Sequence, residues 1–216
     1  MTLPHQNQPV YAAGENMETA TAVAILLHGR GVGADDILSL SSYLTQPGLA
    51  FLAPQAEGYT WYPNRFIFPV EKNEPHLSAA LGIVDNLVKH VEGLGIPSEK
   101  IFLGGFSQGA CLASEYVIRN PRKYGGLFVF SGGYIGAEAG TRQAEGDLQG
   151  TPVLIGCSDI DPHIPLQRVK DTTALLQLMG AEVTEKIYQN MGHSINDEEI
   201  KLARTVIEQS LQKKAD

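Results

Sequence analysis

Ser107 stands in the run Gly104-Gly105-Phe106-Ser107-Gln108-Gly109-Ala110, after a short apolar stretch and before a segment of small and apolar residues. Glycines two before and two after it give the spacing G-x-S-x-G, which holds a serine out at a tight strand-to-helix bend. Such a bend needs neighbours with almost no side chain, so that strand and helix can approach. The helix that follows aims free N–H groups and a partial positive charge at the serine, where they favour an oxyanion. A glycine-rich turn whose serine only caps the helix has a similar sequence. The strand expected before it and the helix expected after it favour a nucleophile.

A serine hydroxyl is a weak nucleophile near neutral pH unless a base takes its proton, and that base needs an orienting group. His193, in Asn190-Met191-Gly192-His193-Ser194, lies between the last expected strand and the last expected helix, where a base can reach back over a sheet. For the acid, Cys157-Ser158-Asp159-Ile160-Asp161-Pro162-His163 offers two carboxylates. Asp161 is preferred, because Pro162 restricts its backbone to extended geometry and it sits further along the loop. Asp159 is better suited to bonding its own turn. His163 is a rival base, but only two residues from Asp161 it is poorly placed to bridge acid and serine, and is read as a rim residue. The chain order is thus serine, acid, histidine.

Acyl transfer also needs donors for a tetrahedral oxyanion, usually backbone N–H groups. Gln108, next after the serine, supplies one. The other is expected from Leu27-His28-Gly29-Arg30-Gly31-Val32-Gly33, with the backbone of Arg30 as candidate. Its guanidinium is expected to pair with an acidic neighbour, the alternative being to face substrate. His28 reads as a structural histidine beneath the loop. A phosphate cradle is disfavoured, because the glycines do not follow G-x-G-x-x-G and no acidic residue ends the next strand.

These groups must be carried by a frame. Short apolar runs at residues 23–27, 50–53, 101–103, 126–130, 153–156 and 183–188 alternate with helical patterns, as in repeated βαβ units around a mainly parallel sheet covered on both faces. Leu77, Ala80, Leu81, Val84, Leu87, Val88 and Val91 recur at helical spacing, predicting one helix over 76–94. A helix over 108–120, apolar on more than one side, should lie against the middle of the sheet. Another opens at Pro165 and stops at Gly180, and a last one has Asn196 as N-cap with Glu199 at the third position. Two stretches, 57–75 and 131–150, have no period and are long enough to be binding loops. Trp61 and Tyr62 in the first are read equally as pocket wall or loop core.

The chain has 216 residues, 43% apolar and 19% charged, with a formal net charge of -8. That suits a single domain over 1–216, with 1–9 expected to be a flexible N-terminal segment. No cluster of Lys and Arg points to nucleic acid, and no apolar run approaches a membrane span. No secretory signal pattern opens the chain. Cys111 and Cys157 lie in apparently buried segments and form neither a disulfide framework nor a metal pair, so a cytoplasmic location is expected.

The motifs LLHGRG, GFSQGA, DPHIP and MGHS, in this order over most of the chain, resemble the phospholipase/carboxylesterase family of α/β-hydrolases, which includes the acyl-protein thioesterases. The resemblance implies Ser107, Asp161 and His193 as catalytic triad and the backbones of Arg30 and Gln108 as oxyanion hole. It also implies hydrolysis of small-molecule carboxylic esters or thioesters, no cofactor or metal, no large cap domain, and frequent homodimers. HGRG replaces the HGLG-type loop of the eukaryotic thioesterases and TWYPNRF occupies the pocket-forming loop, so action on palmitoylated proteins is not carried over. The related dienelactone hydrolases normally carry cysteine where this chain has Ser107. A serine carboxylesterase favouring short to medium acyl groups is expected. The alternatives are a lysophospholipase or acyl-thioesterase and, from another class, a non-catalytic receptor on the same fold.

Overall fold

Consecutive apolar residues, with no polar side for solvent, become strands covered on both faces. A computed structural model of the protein describes residues 3–137 and 142–212. In it β2 (Ala22–Leu27), β3 (Leu49–Pro54) and β5 (Gly126–Phe130) are buried throughout, and β4 (Ile101–Phe106) and β6 (Pro152–Ser158) are buried except at one end. β7 (Glu182–Tyr188) closes one edge and β1 (Val10–Gly14) the other. The order is β1-β3-β2-β4-β5-β6-β7. All neighbours are parallel except β1, which runs antiparallel to β3. β1 escaped the sequence reading because it is an exposed edge strand without a buried run.

Alternate residues of each strand enter opposite layers. Val23, Ile25 and Leu27 join Val84 and Val88 of α3 (His76–Gly93), Tyr116 and Val117 of α4 (Gln108–Arg119), and Leu176 of α5 (Leu166–Leu178). Ala22, Ala24 and Leu26 face Ile37 of α1 (Ala34–Leu38), Leu44 of α2 (Ser41–Leu44), and Ala203 and Ile207 of α6 (Asp197–Gln212). Residues 108–118 of α4 are all buried, as its many-sided apolar pattern predicted. No helix among the described residues is long and apolar enough to cross a membrane.

The winding creates a crevice. From β2 the chain runs by α1 and α2 to β3 on one side, whereas from β4 it runs by α4 to β5 on the other. The loops leaving the carboxyl ends of these neighbouring strands therefore diverge, and ligand sites of open α/β sheets lie at such a switch point. The stretch before β1, expected to be loose, is anchored at His5. That ring is buried, with Nε2 3.0 Å from the Trp61 carbonyl and Nδ1 accepting the Glu57 N–H at 3.0 Å.

Candidate active site

At the end of β4 the backbone of Ser107 takes φ 55° and ψ −115°, a region that side chains rarely adopt. The bend is held by the Ser107 N–H donating to the Phe130 carbonyl at 2.9 Å and the Cys111 N–H donating to the Ser107 carbonyl at 3.0 Å. β4 and β2 are paired with Gly105 opposite Leu27. A Cβ on Gly105 would lie 2.5 Å from the Leu27 carbonyl oxygen, and one on Gly109 would overlap that carbonyl. The two glycines thus let strand, helix and bend meet. Gly109→Ala is expected to cost about 3 kcal/mol or more, because backbone and not a flexible side chain must move; thermal unfolding measures it.

Asp161 and His193 arrive from the loops after β6 and β7. His193 Nδ1 lies 2.7 Å from Asp161 Oδ2 and donates to the carboxylate, so in the neutral ring Nε2 is the nitrogen left as acceptor. Asp161 Oδ1 accepts the N–H groups of His163 and Ile164 at 2.8 and 3.0 Å. Burial opposes ionisation of this carboxyl, but the bonds from His193, His163 and Ile164 outweigh it and hold its pKa below the ordinary value. The Cys157 thiol, kept protonated by burial that pushes its pKa to about 12, lies 3.7 Å from Asp161 Oδ2. The His193 ring rests on Phe106, centroids 4.7 Å apart, and meets the edge of His163 at 4.8 Å.

Asp159 takes a different part from the one expected. Its Oδ1 accepts the Asn190 N–H at 2.8 Å, joining the acid-bearing loop to the histidine-bearing loop instead of closing its own turn. Behind them, Asn196 and Glu199 form the reciprocal cap anticipated from their spacing: Asn196 Oδ1 accepts the Glu199 N–H at 3.0 Å and Glu199 Oε2 accepts the Asn196 N–H at 2.9 Å. Glu199 is fully buried, where burial raises its pKa to about 7, and a Cβ on Gly156 would collide with its carboxyl. A carboxyl whose folded pKa is raised binds more protons folded than unfolded, so its effect on stability worsens as pH rises through the interval from 4.5 to about 7. Glu199→Gln is therefore expected to stabilise the protein at pH 8 by up to roughly 3 kcal/mol and to change little at pH 5, read as denaturation midpoints at both pH values.

The two candidate oxyanion donors face this arrangement. Gln108 is the first residue of α4, so its N–H has no acceptor within the helix. Arg30 lies in the turn after β2, and both residues line one cavity with Ser107 and His193. The Arg30 side chain, expected to pair with an acidic neighbour, bonds backbone carbonyls instead. Its guanidinium donates to the carbonyls of Tyr62, Pro63 and Asn64 at 2.8, 2.9 and 2.9 Å. His28 is buried under the turn, with Nδ1 2.7 Å from the Gly29 carbonyl and Nε2 accepting the Ala56 N–H at 3.0 Å. Burial lowers its pKa, which suits the neutral ring those bonds require.

Trp61 and Tyr62 have separate fates. Trp61 is fully buried away from the cavity, its indole N–H donating to the His28 carbonyl at 2.9 Å, so it is loop core. Tyr62 is on the cavity wall. The cavity has a volume of about 660 Å³, the size of a small-molecule site. Arg65, Phe66 and Phe68, from the stretch expected to be a binding loop, also line it, and so does Cys111, which was expected only to be buried. The first unpatterned stretch, 57–75, builds this wall. Residues 131–137 and 142–150 of the second do not line it, and 138–141 lie outside the described residues.

A family model described as Phospholipase/Carboxylesterase matches residues 10–211. The chain belongs to this family. A phospholipase/carboxylesterase from Dyadobacter fermentans, solved by crystallography, is 40% identical over 96% of this chain and 98% of that one, with a TM-score of 0.89. The sheet order and flanking helices are accordingly those of the α/β-hydrolase fold. Acyl-protein thioesterase 1 of Kluyveromyces lactis is 33% identical over 57% of this chain and 56% of its own length. A probable SOBER1-like carboxylesterase of Arabidopsis thaliana is 31% identical over 65% and 54%. The chain thus spans about half the length of these two curated relatives.

Proposed function

We propose that the protein is a serine carboxylesterase. The Ser107 hydroxyl adds to an ester carbonyl while His193 Nε2 takes its proton. Collapse of the tetrahedral adduct breaks the bond to the alcohol, which leaves with the proton from His193. Water then attacks the acyl-enzyme by the same route and releases the acid. Asp161 holds the imidazole in the reactive tautomer, and the N–H groups of Arg30 and Gln108 receive the oxyanion. The observation that carries the reading is the 2.7 Å bond from His193 to the buried Asp161 side chain in a ring that shares its cavity with the strained Ser107.

A cavity of this size, with no cap domain among the described residues, favours short to medium acyl groups. The relatives named for acyl-protein thioesterase activity make thioesters the nearest alternative. The test is incubation with a fluorophosphonate followed by peptide mapping, beside a panel of p-nitrophenyl esters and the matching thioesters. Labelling at Ser107 with rates highest on short or medium oxygen esters is expected. A rate optimum on long acyl chains or thioesters would replace the substrate assignment, and a protein that neither labels nor turns over is a receptor and not an esterase.

A further inference from the structure

We propose that the Arg30 side chain couples the wall of the acyl pocket to the oxyanion hole, so that the length of the acyl group is read in the rate of the chemical step. This rests on the esterase reading and adds to it a specificity-determining role for a side chain whose own backbone N–H is the oxyanion donor.

The geometry is a clasp. The planar guanidinium meets three consecutive carbonyls, those of Tyr62, Pro63 and Asn64, and the next residue, Gly31, donates its N–H to the Tyr59 carbonyl at 2.8 Å. From the elbow side, Gln108 Oε1 accepts the Trp61 N–H at 2.9 Å and the Thr60 hydroxyl at 3.2 Å, while its Nε2 donates to the Tyr62 carbonyl at 2.8 Å. Both proposed oxyanion residues therefore hold the same loop by their side chains and share one acceptor, the Tyr62 carbonyl. On its other side the loop is fixed by the Asn64 N–H to Asn73 Oδ1 at 2.8 Å and by Asn64 Nδ2 to the Lys72 carbonyl at 2.6 Å.

Tyr62, Pro63 and Asn64 form part of the cavity wall. An acyl group too long for the cavity pushes on this wall, and the carbonyls that move take the guanidinium with them. The Arg30 N–H is attached to the same Cα, so the donor leaves its position. A misplacement of about 1 Å at a reacting centre can cost about 100-fold in rate. Leucine at this place, as in an HGLG-type loop, has no donor and makes no such link, and lysine offers a point charge where guanidinium offers a fork.

The experiment compares unaltered protein with Arg30→Ala and Arg30→Lys on p-nitrophenyl esters from acetate to decanoate, with kcat and KM determined separately and active sites counted by fluorophosphonate. In the unaltered protein kcat should fall about tenfold or more from the best ester to decanoate. In Arg30→Ala the maximum kcat should drop about tenfold and its dependence on chain length should flatten to within about threefold. Arg30→Lys should lie between. Should thermal melting show Arg30→Ala unfolded, Arg30→Lys carries the comparison. A variant that keeps the unaltered dependence of kcat on chain length, whatever its overall rate, or an unaltered protein with a flat profile, overturns the coupling and leaves the esterase reading intact. Absence of both labelling and hydrolysis in the unaltered protein overturns that reading, and the coupling with it.

Discussion

Ser107→Ala should lower kcat on short esters by about 10⁶-fold, the largest effect expected of any single change here. Alanine removes the hydroxyl that forms the acyl-enzyme, and the cavity has no substitute ready. The lining thiol, Cys111, is a buried wall residue whose pKa burial pushes to about 12, so it stays protonated. Alanine makes the same demand on the backbone at φ 55° as serine, so the melting temperature should move by only a few degrees. Intact mass after fluorophosphonate treatment gives a second readout. Retained turnover or a retained adduct in Ser107→Ala would remove this serine from the mechanism.

Asp161→Asn should lower kcat by roughly 10⁴-fold while leaving the loop in place. The amide oxygen can still accept from the His163 and Ile164 N–H groups, as Oδ1 does now. Where Oδ2 receives the His193 Nδ1 hydrogen, however, a second N–H donor would stand and favour the wrong tautomer. The substitution also changes the acid limb of stability. Because the folded pKa is depressed, the ionised Asp161 stabilises the native state above its unfolded value near 3.9, and the contribution is lost as pH falls through the lower folded value. The asparagine protein should lack that component of acid destabilisation, visible as a shallower fall in melting temperature below about pH 4. Full activity in Asp161→Asn would assign the orienting role elsewhere, with Asp159 the next residue to test.

Much of the frame was legible because its signals are local. Apolar runs buried on both faces mark β2 to β6, although β2, β3, β4 and β6 extend one to three residues beyond the runs, because ladder pairing continues past them. The spacing of Asn196 and Glu199 predicts their mutual cap because both bonds close within one turn. Glycines at 105 and 109 announce the bend for a similar reason: the spacing places them against whatever lies beside the strand. β1, α1 and α2 were not legible. The first is an exposed edge, and the other two are too short to show a period.

For the site, the chain order of Ser107, Asp161 and His193 and the backbone positions of Arg30 and Gln108 could be named from motifs, because each follows a strand end at a characteristic place. Side-chain direction could not. Trp61 and Tyr62 are adjacent, yet one fills the loop core and the other the cavity wall. Contacts with His28 and Gln108, 33 and 47 residues from Trp61, decide between them. The same holds for Arg30, whose acceptors are carbonyls 32 to 34 residues further on, and for Asp159, whose partner is 31 residues away. Residue type and local spacing were enough to state which groups could do acyl chemistry. Which of them share a cavity, and which side chains brace the others, depended on contacts between loops brought together by the sheet order, and no local pattern encodes those.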